Sequence, residues 1–266
     1  MRKVPPSRFS SRNAPRTAAP VEIHAIPGLS EIEAGVDLSE AIAAAAGRAR
    51  MVFKNGDVVV VAQKIVSKAE GQLIALSEVV ASPQAQELGA RLKKDARFVE
   101  VILRESKRIV RSDPVLIVET HHGFVCANAG VDHSNIPGHE VVSLLPRDPD
   151  GTAHKLAVAL GKLTGKRIAV VISDTFGRPW RLGLTNVAIG AAGVPALVDL
   201  RGTRDLHGKP LQATILAVAD ELAAAGGLLM AKAGGFPAVI VRGYRYRRAL
   251  DPAARIIRPA SEDLFR

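Results

Sequence analysis

The chain has 266 residues, a formal net charge of +10, 47% hydrophobic residues and only 4% aromatics. That composition excludes disorder along the whole length, and no apolar run reaches the ~18–20 residues of a membrane-spanning helix. The single cysteine, Cys126, excludes an internal disulfide; with no Cys/His zinc spacing, it points to a reducing, cytoplasmic setting.

Residues 1–20 carry five basic residues and no acid, and they show no apolar periodicity. They read as a disordered basic tail. An Arg- and Ser-rich start also suits a transit peptide, although Pro5, Pro6 and Pro15 spoil an amphipathic helix. Residues 21–250 read as one folded domain, and 251–266 as a basic extension. Residues 242–266 hold seven arginines against three acids, whereas 21–241 balance to +1. The charge therefore sits at the two ends, not on a folded nucleic-acid face.

Val21–Ile26 reads as a strand. Asp37 and Glu40 have capping-box spacing and open a helix over about 38–50. Val58–Ala62 is a β-branched run, hence a buried strand. Ser82-Pro83 and Asp95 cap two further helices. Strands are expected near Ile109, at Val115–Thr120 and at Phe124–Ala127. A helix over about 152–163 precedes strand Ile168–Ser173. A long Ala/Leu helix over about 213–232 then leads to strand Ala238–Arg242. Strands and helices do not alternate strictly, so the expected class is α/β with mixed α+β character, not a plain doubly wound sheet.

Standard phosphate motifs fail. G-x-G-x-x-G is absent, and Gly202 to Gly208-Lys209 is one residue too long for a Walker A loop, with Pro210 in place of Ser or Thr. Four polar segments carry the remaining chemistry. Pro27-Gly28-Leu29-Ser30-Glu31 suits close backbone approach to a ligand, or an ordinary turn. Gln63 to Gly71 follows a buried strand, where Lys64 and Lys68 suit phosphates; the alternative is a solvated loop. Asn128 to Asn135 brings Asp132 near Asn135, hard oxygen donors for Mg²⁺, or merely an Asx-turn. Ser173-Asp174-Thr175 again suits a metal, with Arg178 and Arg181 facing a polyanion and Trp180 stacking on a ring or filling the core. His133 and Cys126 read as structural. Asp220 and Glu221, among Ala and Leu, are solvated or buried. No serine or cysteine shows a base partner, so no covalent enzyme intermediate is expected.

In this order, the segments IPGLSEI, VSKAEG, NAGVDHSNIPG, SDTFGRPWRLG, NVAIGAAG and DLRGTRDLHGKPLQAT resemble the coenzyme F420-0:L-glutamate ligase family. The resemblance runs from about Val21 to Gly243 and implies the single-module form of the family and a fold peculiar to it. It implies a dimer that joins L-glutamate to F420-0 in an amide bond, with GTP and Mg²⁺ or Mn²⁺ and with K⁺ as a further candidate cation. Further γ-linked glutamates are added by some members. By position, the nucleotide falls on Gly28, Leu29, Ser30, Glu31, Gln63, Lys64, Lys68 and Asn135, and on Met230, Ala231, Lys232, Ala233, Gly234 and Gly235. One metal falls on Asp132 and Asp174, a second on Thr175. Arg178, Trp180 and Arg181 are candidates for binding substrate. Lys232 departs from the family, which has an acidic or amide ligand there, so either it holds a phosphate itself or the second metal lacks that ligand. The readings from other classes are a catalytically impaired nucleotide or deazaflavin binder of the same fold, and a nucleic-acid binder using the basic ends.

Overall fold

The computed structural model describes residues 20–133, 140–230 and 235–263. In chain order the elements are β1 (Glu22–Ala25), α1 (Leu38–Arg48), β2 (Val58–Ala62), α2 (Gln63–Ala69), β3 (Leu73–Ala75), α3 (Pro83–Leu92) and α4 (Ala96–Arg104). Then come β4 (Ser106–Arg111), β5 (Ile117–Thr120), β6 (Val125–Ala127), β7 (Val141–Ser143), α5 (Pro149–Thr164), β8 (Ala169–Arg178) and β9 (Arg181–Ala192). β10 (Val198–Asp199), β11 (Ile215–Leu216), α6 (Val218–Met230) and β12 (Ala238–Arg242) complete the chain.

A five-stranded sheet in the order β1-β12-β2-β8-β9 forms the centre. Only β2 and β8 run parallel; the other pairs are antiparallel. The mixed class expected from the sequence is the one found. Val58, Val59, Val60 and Val61 of β2 are all fully buried, because both faces of the sheet are covered. Val59 and Val61 pack with Ile42 of α1 and Leu156 and Leu160 of α5. Val58 and Val60 point the other way, toward Ala219, Leu222 and Ala223 of α6. A third core gathers α3, α4, β5 and β7, with Phe98, Val101, Ile102, Leu116 and Val142.

The predicted caps operate. The Asp37 carboxylate accepts from the Ser39 and Glu40 amides, the Ser82 hydroxyl from Ala85 N and the Asp95 carboxylate from Arg97 N. Asp148 caps α5, which starts at Pro149, three residues before its predicted start, and Gly165 ends it at φ +66. Three expectations need correcting. Gln63–Ala69 is a helix, against the solvated-loop alternative, and its seven residues are too few to show a period. The strand after Ile168 runs on to Arg178 and turns into the twelve-residue β9. β9 is poor in β-formers, and its pairing with β8 overrides that weak propensity. Finally, α6 starts at Val218, with β11 occupying part of the stretch assigned to it.

The C-terminal extension is docked by two aspartates. Asp150 accepts from Ala191 N, Ala253 N and Ala254 N, and Asp251 accepts from Ala196 N and Leu197 N. The β4-β5-β6 sheet and the short β3-β7 pair stand beside the central sheet. They carry the turn after β6 back toward the end of β2.

Candidate active site

Where β2 ends, β8 loses its parallel partner and continues as a two-stranded ribbon with β9. A cavity of about 600 Å³ opens at that point. Four chain segments separate in sequence meet there: Leu29, Ser30 and Glu31; Gln63, Lys64 and Lys68 of α2; Asp132; and Asp174 and Thr175 of β8. Met230, the last residue of α6, and Gly235 close it from the far side. Gly28 lies just outside the lining. It adopts φ +72, and its carbonyl accepts from Arg48 Nη2 at 2.8 Å. The left-handed turn is what requires glycine there.

The two lysines are held by carboxylates. Lys64 Nζ donates to Asp132 Oδ2 at 2.7 Å, and Lys68 Nζ donates to Glu31 Oε1. Lys68 is buried and lines the cavity. Asp132 follows three residues in left-handed conformation, Asn128, Ala129 and Gly130. Gly130 sits at φ +71, and a Cβ there would come within 2.6 Å of Leu145 Cδ2, so glycine is favoured. Lys94 Nζ donates to Asn128 Oδ1 at 2.8 Å and pins the turn, and burial pushes the Lys94 ammonium below its ordinary value. The backbone of Asp132 is bonded both ways to Ser143, N to O at 3.2 Å and O from N at 2.9 Å. Strain of this kind is held by over-determined surroundings, and here it aims a carboxylate.

On the other wall, Asp174 Oδ1 accepts from Thr175 N at 2.7 Å. Its charge is felt by Cys126, whose thiol is pushed up to about 12, mainly by burial and then by Asp174. Cys126 is thus the small core residue expected of it. His133 stacks on Phe98 at 4.5 Å and is structural. Asp220 accepts from Ala188 N at 2.9 Å, tying α6 to β9, and burial raises its pKa.

Sequence reasoning missed part of the lining. Asn186 of β9 donates from Nδ2 to Ser173 Oγ at 3.1 Å, and both touch Met230 Sδ; Phe236 and Pro237 form the rim. The only signal was an amide inside NVAIGAAG, invisible until β9 was seen to run beside β8. The ring-stacking and polyanion candidates do not reach the cavity lining. Trp180 sits at the ribbon's turn with φ +64 and is 88% exposed, so it is not core. Arg178 Nη2 donates to Leu182 O at 3.2 Å, and Arg181 is exposed beside it. Asn135, Ala231, Lys232, Ala233 and Gly234 lie outside the described residues, as does the tail through residue 19.

Among the described residues no group of three or more His, Cys, Asp and Glu gathers. A cation here would draw on Asp132, Asp174 and the Thr175 hydroxyl. These are hard oxygen donors of the kind that Mg²⁺ and Mn²⁺ take together with substrate phosphates. The donor set fits such an ion.

The sequence profile of the F420-0:Gamma-glutamyl ligase family matches residues 28–243. The coenzyme F420:L-glutamate ligase of Methanothermobacter thermautotrophicus is 45% identical, over 92% of this chain and 99% of that protein. The protein of the same name from Methanopyrus kandleri is 48% identical over 92% of this chain and 98% of its own length. That of Archaeoglobus fulgidus is 45% identical over 84% of this chain. The class follows first: this is an enzyme of the ligases that form carbon–nitrogen bonds. Within that class, the chain belongs to the F420-0:gamma-glutamyl ligase family.

Proposed function

We propose that this enzyme joins L-glutamate to F420-0 through an amide bond, using GTP to activate the acceptor carboxylate. The observation that carries the reading is the meeting of two lysines and two aspartates from three segments in one cavity of about 600 Å³, within the size range of small-ligand sites. A carboxylate is a poor electrophile toward an amine. Transfer of the γ-phosphoryl group of GTP to a carboxylate oxygen gives an acyl phosphate and GDP. The glutamate nitrogen then attacks the carbonyl carbon. The C–O bond breaks, phosphate leaves with its electron pair, and the amine loses a proton to water.

Such a reaction asks the protein for positioning and charge neutralisation more than for covalent help. The Lys64–Asp132 and Lys68–Glu31 pairs suit that demand by exchanging partners. Phosphate oxygens take the ammonium groups, which releases Asp132 to work with Asp174 and the Thr175 hydroxyl. Those three would hold Mg²⁺ or Mn²⁺, whose contribution when bound is to neutralise charge on the phosphates. Leu29, Ser30 and Gln63 line the space beside the lysines and would position the nucleotide. K⁺ is a further candidate cation. Lys232 would hold a phosphate directly; Lys232→Ala should then raise the KM for GTP, whereas a solvent-facing side chain would leave it unchanged.

We also propose a homodimer, in which the exposed Trp180, Leu182 and Leu184 of the β8–β9 ribbon would be covered by a second copy. Light scattering in solution tests this: a monomer mass at micromolar protein rejects it. The catalytic reading is tested by mass spectrometry after incubation with F420-0, GTP, glutamate and Mg²⁺. The expected product gains one glutamate residue with stoichiometric GDP, and a ladder of further additions would show γ-linked extension. Nucleotide binding without any product would favour the impaired binder of the same fold.

A further inference from the structure

The end of the central sheet opposite the active site carries a second cavity, of about 540 Å³. It forms where β2 and β8 begin and β12 ends. Asn55 precedes β2, Arg167 precedes β8, and Tyr244, Arg245, Tyr246 and Arg248 follow β12. The five residues of β2 separate the two cavities, by roughly 17 Å at about 3.3 Å per residue.

The chemistry of this lining is one-sided. Three arginines line the space, and no Asp or Glu does. Among the described residues, none of the three forms an ion pair, whereas Arg97, Arg104, Arg108, Arg201, Arg242 and Arg255 each sit on a carboxylate. Of the acids whose fields reach the two tyrosines, Asp57 is already taken bidentately by Arg242, at 2.8 and 2.7 Å, and Glu221, felt by Tyr244, does not line the cavity. Both tyrosines stay protonated at neutral pH: burial raises Tyr244 and pushes Tyr246 up to about 12. Their rings lie 6.0 Å apart at 17° and pack against the core under α6, so they form a fixed wall of the cavity.

We infer that this cavity binds a small oligo-anion, a ligand with two or more phosphate or carboxylate groups, at a site separate from the catalytic one. Guanidinium forks match both groups in bidentate geometry. Three arginines without an ion pair around a concave surface concentrate anions there. A volume of about 540 Å³ leaves room for a body beyond a single phosphate.

The chain has only two tyrosines, and both line this cavity. Protein grown with fluorotyrosine therefore gives two fluorine resonances that report on this site alone. Pyrophosphate and citrate are titrated separately into the full chain, with chelator present and no nucleotide. Both resonances should shift and saturate, and the tighter probe assigns phosphate or carboxylate chemistry. Arg167→Gln with Arg248→Gln should weaken binding by about tenfold or more, equivalent to about 1.4 kcal/mol. Lys68→Gln, in the other cavity, should leave the curve in place. Should the double variant fail to fold, Arg245→Gln supplies the same comparison. Resonances that stay still, drift linearly as in general ionic screening, or respond equally in the arginine variants would overturn the site.

Discussion

The two ends of the central sheet solve opposite electrostatic problems. At the end where β2 runs out and β8 continues with β9 alone, each lysine is met by a carboxylate, Lys64 by Asp132 and Lys68 by Glu31. At the end where β2 and β8 begin, three arginines and two tyrosines face a space that no carboxylate lines. A balanced site can admit an anion and a cation together by exchanging partners, at little net cost in charge. An unbalanced one takes an anion alone. The difference shows that concavity and basic residues alone do not single out the proposed catalytic end; what distinguishes it is the pairing of both signs beside the left-handed turn at Asn128–Gly130.

The largest test removes one sign from the balanced end. Asp174→Asn should lower turnover by more than about a hundredfold, the upper end of the cost of disturbing groups around a metal. The thermal midpoint should move little, because Asp174 lies beyond the β2 pairing and outside the core. Turnover within a few-fold of wild type would separate Asp174 from the chemistry. The complementary change, Lys68→Ala, should raise the KM for GTP about tenfold, the worth of one charge-assisted hydrogen bond. Glu31, two-thirds exposed, is left solvated and not stranded. A drop in kcat with unchanged KM would mean that Lys68 acts on the transferring group and not on ground-state binding.

A third substitution asks whether the two ends are independent. Gly190 of β9 lies against the first turn of α5, where a Cβ would run into the backbone carbonyl of Pro149. The pairing with β8 shifts register at the same level, between Ile172 and Ser173. Gly190→Ala should cost about 1–3 kcal/mol of stability, the usual penalty for overpacking, read as a lower denaturant midpoint at constant slope. β9 carries Asn186 to the active site, and Gly193 just beyond its end lines the arginine cavity. If KM for GTP and the pyrophosphate curve both shift, β9 couples the ends; if only one moves, they are separate.

Much of this was legible in the sequence, and the illegible part has physical causes. Val58–Ala62 announces a strand buried on both faces, and Asp37, Ser82 and Asp95 announce helix starts, because burial and capping act locally. The cavity's polar residues were legible as polar groups just beyond apolar runs. Their convergence was not, since it depends on the left-handed turn at Asn128–Gly130 and on β9, whose Gly- and Ala-rich sequence hides its pairing. Asn186 escaped notice for the same reason. Arg178, Trp180 and Arg181 misled in the other direction. They adjoin Asp174 in sequence, but the strand continues for four residues past it, about 13 Å at strand rise, and carries them to the ribbon's turn. Arg167, Arg245 and Arg248 form no motif; only the antiparallel return of β12 beside β2 brings them together.

The smallest expected effect concerns a residue that touches neither end. Asp37 caps α1, accepting from the Ser39 and Glu40 amides, and α1 packs on the face of the sheet shared with α5. Asp37→Ala should cost about 1 kcal/mol near neutral pH, as for other N-caps, without changing KM for GTP or the fluorotyrosine titration. The sign of its pH dependence is set by its environment. The Ser39 hydroxyl first, then the Glu40 amide, hold the carboxyl below its ordinary value of 3.8. Folding therefore favours the ionised form. The cap's electrostatic contribution is complete above pH 3.8 and fades as the pH falls through the lower folded value. Wild type and variant should consequently draw together in acid, by denaturant titration at a series of pH values. A gap that widened on acidification would mean that the neutral carboxyl makes the better cap, contrary to the hydrogen bonds that hold it.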